Sequence, residues 1–203
     1  MLATRYKPAL TRALAPLTAL VARTGLSPSA ITLATPLLTL AVCVAFVRTR
    51  ATLPFCLAML AVGGLDALDG AVARATGRVT KFGAYLDAVC DRYVDGMVVI
   101  AAASVTGYWR LSAVVLGGAL LVSYTKARAA MEVPVSNLEW PDLMERTERS
   151  LLFLAGLAAS ALVPWRPLGR DLFWWTLLVL SVVIHATVLQ RVARARRFIS
   201  SRS

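Results

Sequence analysis

Read for its apolar and polar positions, the chain is a series of long apolar runs joined by short polar connections. They cover roughly residues 29 to 47, 52 to 73, 83 to 107, 109 to 131, 150 to 165 and 172 to 190. A bilayer span needs about 20 predominantly apolar residues, so each run predicts one crossing. Only helices or closed barrels satisfy their backbone groups in lipid. Stretches such as LSAVVLGGALLV and FWWTLLVLSVVI lack the period-2 alternation of a barrel strand, which leaves helices. The expected fold class is an all-α integral membrane protein with six transmembrane helices, preceded by an N-terminal amphipathic juxtamembrane helix.

That first segment, RYKPALTRALAPLTALVARTGL, is not a secretory signal, because Arg12, Pro16 and Arg23 interrupt any apolar core. At 100° per residue Arg5, Arg12 and Arg23 fall within about 20° of one another. Leu10, Leu14, Leu17 and Val21 fall on the opposite face. The pattern predicts a helix over residues 1–25 lying on the membrane surface, cations toward anionic headgroups; a solvated helix end is the plainer alternative. Gly25 punctuates its end, and Ser27 before Pro28 predicts the N-cap and first position of the next helix. Residues 26–197 then form a six-helix bundle, the whole of 1–203 being one membrane domain.

Composition agrees. The chain is 58% hydrophobic and 16% charged with mean hydropathy +0.68, against about 25% charged for a soluble domain. A net charge of +11 alone is compatible with nucleic-acid binding, but the distribution of the cations along the chain points elsewhere. If the first span leaves the cytosol, 17 of the 22 Lys and Arg fall on one side, which by the positive-inside rule makes both termini cytosolic. Cys43, Cys56 and Cys90 have no metal-binding spacing and are expected as small apolar filler.

Against this background the stretch GGLDALDGAVARATGRVTKFGAYLDAVCD is anomalous. About 13 apolar residues precede Asp66, covering roughly 20 Å of a 30 Å hydrocarbon core, which places Asp66 and Asp69 at its cytosolic boundary. The next span returns antiparallel and brings Asp87 and Asp91 to a similar depth. Each pair, spaced i, i+3 or i, i+4, projects from one side of its helix, so the two pairs can face each other. Four converging carboxylates need protons or a strong cation. Oxygen ligands with no His or Cys ligand set favour Mg²⁺ or Mn²⁺, and four suffice for a two-metal site clamping a diphosphate. Gly70, Ala73 and Gly83 leave room for a ligand, and Arg74 can hold a phosphate. The structural alternative is that the aspartates pair with Arg74, Arg78 or Arg92 to stabilise a hairpin.

The pattern Asp66-x2-Asp69-Gly70-x2-Ala73-Arg74-x8-Gly83-x3-Asp87-x3-Asp91 resembles the signature of the CDP-alcohol phosphatidyltransferase family at all eight fixed positions. The resemblance implies homodimerisation, a divalent-metal site open to the cytosol, and attack by an alcohol on the lipid-linked phosphate of a CDP-lipid, releasing CMP. It implies that Asp66, Asp69 and Asp87 hold the metal, with Asp91 also near it and acting as the base. Gly70, Ala73, Arg74 and Gly83 surround the diphosphate, and Thr32 and Thr80 touch cytidine, although capping or backbone bonding serves those hydroxyls equally well. Asp95 is expected to support the site or the fold. His185, deep in the sixth run, is expected as a packed or hydrogen-bonded histidine.

Cationic clusters end the later runs in SYTKARA, ERTER and QRVARARR. An acceptor carrying a phosphate dianion suits such Arg forks better than a neutral alcohol does. Glu145 to Arg149 is also an i, i+4 pair, and terminal arginines are ordinary positive-inside residues. Together the clusters resemble the branch of the family that makes phosphatidylinositol phosphate or archaetidylinositol phosphate from inositol 1-phosphate. That implies acceptor-phosphate binding by Lys126, Arg128, Arg146 and Arg191, with Arg149 and Ser123 beside them. The resemblance also implies CDP-diacylglycerol or CDP-archaeol as the lipid donor, and the plasma membrane is the expected location. Glycerol 3-phosphate is the competing acceptor. A cation channel or transporter is the competing class, disfavoured because the acids collect at one end of the spans.

Overall fold

Each apolar run folds as a helix. A computed structural model of the chain describes residues 15–21, 25, 27–132 and 143–200. After a helical segment over 15–21, the long helices are α1 (Pro28–Thr49), α2 (Thr52–Ala75), α3 (Lys81–Thr106), α4 (Trp109–Glu132), α5 (Arg146–Leu162) and α6 (Leu172–Ser200). No strand occurs among the described residues. Most of the expected surface helix, including Arg5, Leu10, Arg12, Leu14 and Arg23, lies outside them.

The helix ends follow local chemistry. Ser27 Oγ accepts from the Ala30 amide at 3.2 Å with Pro28 in the first turn, as its sequence predicts. Thr80 Oγ1 accepts from the Gly83 amide at 2.9 Å and starts α3. Glu148 accepts from the Glu145 amide at 2.9 Å, and Asp171 Oδ1 from the Trp174 amide at 2.9 Å. Gly107, at φ 79°, ends α3 in the left-handed conformation that a side chain disfavours.

Among the described residues, three helices are long and apolar enough to cross a membrane: α1, α2 and α6, with hydropathies of 2.3, 1.7 and 2.1. The sequence predicts six crossings. The charges that interrupt α3 and the 17-residue length of α5 set those helices apart from a plain apolar span. The sixth run is longer than its apolar stretch indicates, because α6 continues through Arg191, Arg194, Arg196 and Arg197. Arginine has good helix propensity, so nothing local stops the helix there.

The described residues group into two compact units, one ending at Gly107 and the other starting at Tyr108. In the first, α1 packs on α2 and α3. Its buried face is Thr32, Thr35, Thr39, Cys43 and Phe46, and Phe46 stacks on Phe55 of α2 with ring centroids 4.1 Å apart. In the second, α6 packs on α4 and α5. Gly118 admits Ile184 and His185, and Gly156 admits Thr176, where an added Cβ would lie 2.1 Å from Thr176 Oγ1. The three cysteines are buried and form no disulfide, as expected of filler.

Candidate metal centre

The short connection between α2 and α3 brings the two aspartate pairs into one unit. Asp66 of α2 and Asp87 and Asp91 of α3 each offer a carboxylate oxygen within 4.8 Å of the others, and all three are half-buried. Two ligands facing each other across an ion at 2.1 Å are about 4.2 Å apart, so three such oxygens fit one small divalent cation with minor adjustment. The donor set is all hard oxygen, which suits Mg²⁺ or Mn²⁺ rather than a thiophilic metal. Asp91 also pairs with Arg92 Nη2 at 3.3 Å, and Arg92 Nε lies 3.9 Å from Asp95.

The fourth aspartate is placed differently. Asp69 is only 6% exposed, and Thr32 Oγ1 of α1 donates to its Oδ2 at 2.5 Å. Thr32 therefore stands against a carboxylate, a contact that sequence reasoning missed. The signal was available as Thr32, Thr35 and Thr39, hydroxyls at helical spacing in an otherwise apolar run. Thr80 takes the capping role.

The small residues beside the aspartates do what their size allows. An added Cβ at Gly70 would stand 3.3 Å from Arg74 Nη1, so the guanidinium folds back over the glycine. At Gly83 it would stand 3.0 Å from the Thr80 hydroxyl. Ala73 is half-buried and Arg74 exposed.

The expected acceptor residues belong to the second unit. Arg191 is 6% exposed and donates through Nη1 to the Val122 carbonyl oxygen, which also accepts from Thr125 Oγ1 at 3.1 Å. Arg149 is 7% exposed. Ser123, Lys126 and Arg146 are half-buried, and Arg128 forms an i, i+4 ion pair with Glu132 at 2.6 Å. Gln190 accepts from the Leu143 amide at 3.1 Å and ties α6 to the approach to α5. His185 Nδ1 donates to the Ser181 carbonyl at 2.9 Å, the hydrogen-bonded role expected of it.

Residues 26–186 match the family model described as CDP-alcohol phosphatidyltransferase. The chain belongs to this family. Among its relatives, archaetidylinositol phosphate synthase of Methanothermobacter thermautotrophicus is 37% identical over 142 residues, 66% of each chain. Phosphatidylinositol phosphate synthase of Mycobacteroides abscessus is 39% identical over 141 residues, 64% of this chain and 60% of that one. The chain thus spans less than two-thirds of the length of these relatives. The fold is similar to crystal structures of Mycobacterium tuberculosis phosphatidylinositol phosphate synthase. The one with CDP-DAG bound has TM-score 0.77 and 26% identity, covering 91% of this chain and 94% of that one. The one in complex with manganese and citrate has TM-score 0.77 and 26% identity, covering 89% and 87%.

Proposed function

We propose that the chain is a six-span transferase of the plasma membrane that moves a phosphatidyl or archaetidyl group from a CDP-linked lipid to inositol 1-phosphate. The observation that carries this reading is the carboxylate cluster of Asp66, Asp87 and Asp91, built from a motif complete at all eight positions. The names of its relatives support the acceptor, and the CDP-DAG and manganese of the similar crystal structures support the donor and the metal.

In this reading Asp66, Asp69, Asp87 and Asp91 hold Mg²⁺ or Mn²⁺. When bound, the ion neutralises the diphosphate and stabilises the departing CMP phosphate. Asp91 receives the proton of the attacking hydroxyl as its oxygen bonds to the lipid-linked phosphorus and the bond to CMP breaks. Arg74 supplies charge to the donor diphosphate, with Gly70, Ala73 and Gly83 giving it room. The acceptor phosphate falls to Lys126, Arg128, Arg146, Arg149, Arg191 and Ser123. Arg191 and Arg149 are the most buried of these. Both termini and the reaction face the cytosol, where most cations lie, and the working form is a homodimer.

The test is CMP release by the purified protein with CDP-diacylglycerol or CDP-archaeol and Mg²⁺ or Mn²⁺. Inositol 1-phosphate, glycerol 3-phosphate, serine and free inositol are offered in parallel. Release only with inositol 1-phosphate is expected. Release only with another alcohol overturns the acceptor, and release with none overturns the reaction.

A further inference from the structure

We infer that Thr32 is a positioning residue, holding one oxygen of Asp69 in a hydrogen bond so that Asp69 meets a cation through its other oxygen alone. The inference rests on reading the aspartates as a divalent-metal site. Thr32 and Asp69 come from different helices, α1 and α2, and are 5% and 6% exposed. The Thr32 Oγ1 to Asp69 Oδ2 distance is 2.5 Å, and the same hydroxyl lies 3.0 Å from the Pro28 carbonyl. A hydroxyl has one proton to donate, and a carboxylate is the stronger acceptor, so the proton belongs to Asp69. Asp69 lies within electrostatic reach of Asp87 and Asp66 but outside the set of three oxygens that approach to 4.8 Å.

The anchor is rigid at both ends. Thr32 sits just after the Ser27 cap and on the buried face that continues through Thr35 and Thr39, and a β-branched side chain in a helix has few χ1 rotamers. Fixing one carboxylate oxygen has a consequence for metal choice. Ca²⁺ takes six to eight oxygens and readily uses both oxygens of a carboxylate, whereas Mg²⁺ demands a small octahedron of single oxygens. Thr32 draws charge from one oxygen of Asp69 and opposes its turning toward an ion, which favours the second kind of ligation. Thr32 thus strengthens binding of a small octahedral ion and discriminates against Ca²⁺.

The experiment titrates the purified full chain with Mn²⁺, followed by electron paramagnetic resonance of the free ion, and with Ca²⁺ in competition. Thr32→Val is expected to weaken Mn²⁺ binding by about tenfold or more, the usual effect of losing a hydrogen bond behind a metal ligand. Ca²⁺ affinity should fall less, so the preference for Mn²⁺ narrows, and Thr32→Ser should restore both. Thermal melting checks folding, with Thr32→Ala as a second deletion should the valine variant not fold. Asp69→Asn separates the two layers of the argument. If it weakens Mn²⁺ while Thr32→Val and Thr32→Ala leave affinity and preference unchanged, the positioning role is overturned and the metal reading stands. If Asp69→Asn itself leaves Mn²⁺ binding unchanged, Asp69 is no ligand and the positioning role falls, while the metal reading falls only if Asp66→Asn and Asp87→Asn leave Mn²⁺ binding unchanged as well.

Discussion

The α1 to α3 unit gathers acids from two consecutive helices, whereas the α4 to α6 unit carries its basic residues on three. In the first, three carboxylates from two consecutive helices approach to 4.8 Å, and the fourth is tied to Thr32. Like charges in poorly hydrated surroundings repel, and such an arrangement persists when a cation or protons offset the repulsion. In the second, Arg128 pairs with Glu132 of its own helix and Arg191 donates to the Val122 carbonyl. A gathered cluster therefore suits a divalent cation, whereas a basic set dispersed over three helices has to be tested residue by residue.

The largest effects should come from the gathered cluster. Asp66→Asn or Asp87→Asn should lower CMP release by at least about a hundredfold, since a charge of the ligand set is lost. Chelation by EDTA should stop release, and added Mn²⁺ or Mg²⁺ should restore it. Asp91→Asn should cost about 10²- to 10⁴-fold in turnover, the span of general-base contributions, while part of the CDP-lipid binding survives. Turnover like that of the wild type in this variant removes Asp91 from the base role. The dispersed set should respond more weakly and selectively. Arg191→Ala should raise the acceptor KM by about tenfold, in line with about 1.5–3 kcal/mol for hydrogen bonds to charged groups, and leave the CDP-lipid KM unchanged. An unchanged acceptor KM would leave Arg191 with its Val122 bond as a helix-packing residue.

The same difference decides how much was legible in the sequence. The acidic motif is local: eight positions within 26 residues on two neighbouring helices, so spacing and period alone bring Asp66, Asp87 and Asp91 together. Helix positions and the Ser27 cap were equally local, and α1 to α4 fall within a few residues of their apolar runs. What spacing cannot supply is the partner across a helix interface. Thr32 meets Asp69 from 37 positions away, and Arg191 meets Val122 from 69. A threonine bonding its own helix and one bonding a neighbouring carboxylate have the same sequence, and only packing separates them. The end of α6 was missed for a different reason: its basic tail leaves the apolar pattern without leaving the helix.

Packing in the second unit can be disturbed without touching the acids of the first, which sharpens the contrast. Gly156→Ala drives a methyl against Thr176, where the Cβ would lie 2.1 Å from Oγ1, and overpacking of this kind costs about 1–3 kcal/mol. Thermal melting should register the loss, while Mn²⁺ affinity at the aspartates stays at the wild-type value. A fall in Mn²⁺ affinity would mean that the acid cluster depends on α5 and α6 packing.

The smallest effect is expected at Tyr108, whose hydroxyl donates to Asp171 Oδ2 at 2.6 Å while Asp171 Oδ1 caps α6. Tyr108→Phe removes one hydrogen bond of about 1 kcal/mol but leaves the cap, so the melting temperature should drop only slightly. The dependence on pH is the more telling measurement. Burial, followed by the bond to Asp171, pushes the Tyr108 phenol up to about 12 from an ordinary value of 10.0. The folded protein thus holds the neutral phenol more tightly than the unfolded chain does. That contribution is complete below about pH 10 and is lost as pH rises toward 12, because only the unfolded chain gains by ionising. The melting-temperature gap between wild type and Tyr108→Phe should therefore be constant to about pH 10 and close above it. A gap that persists unchanged to pH 12 would show that the phenol ionises alike in both states, so that neither burial nor the bond to Asp171 holds its proton.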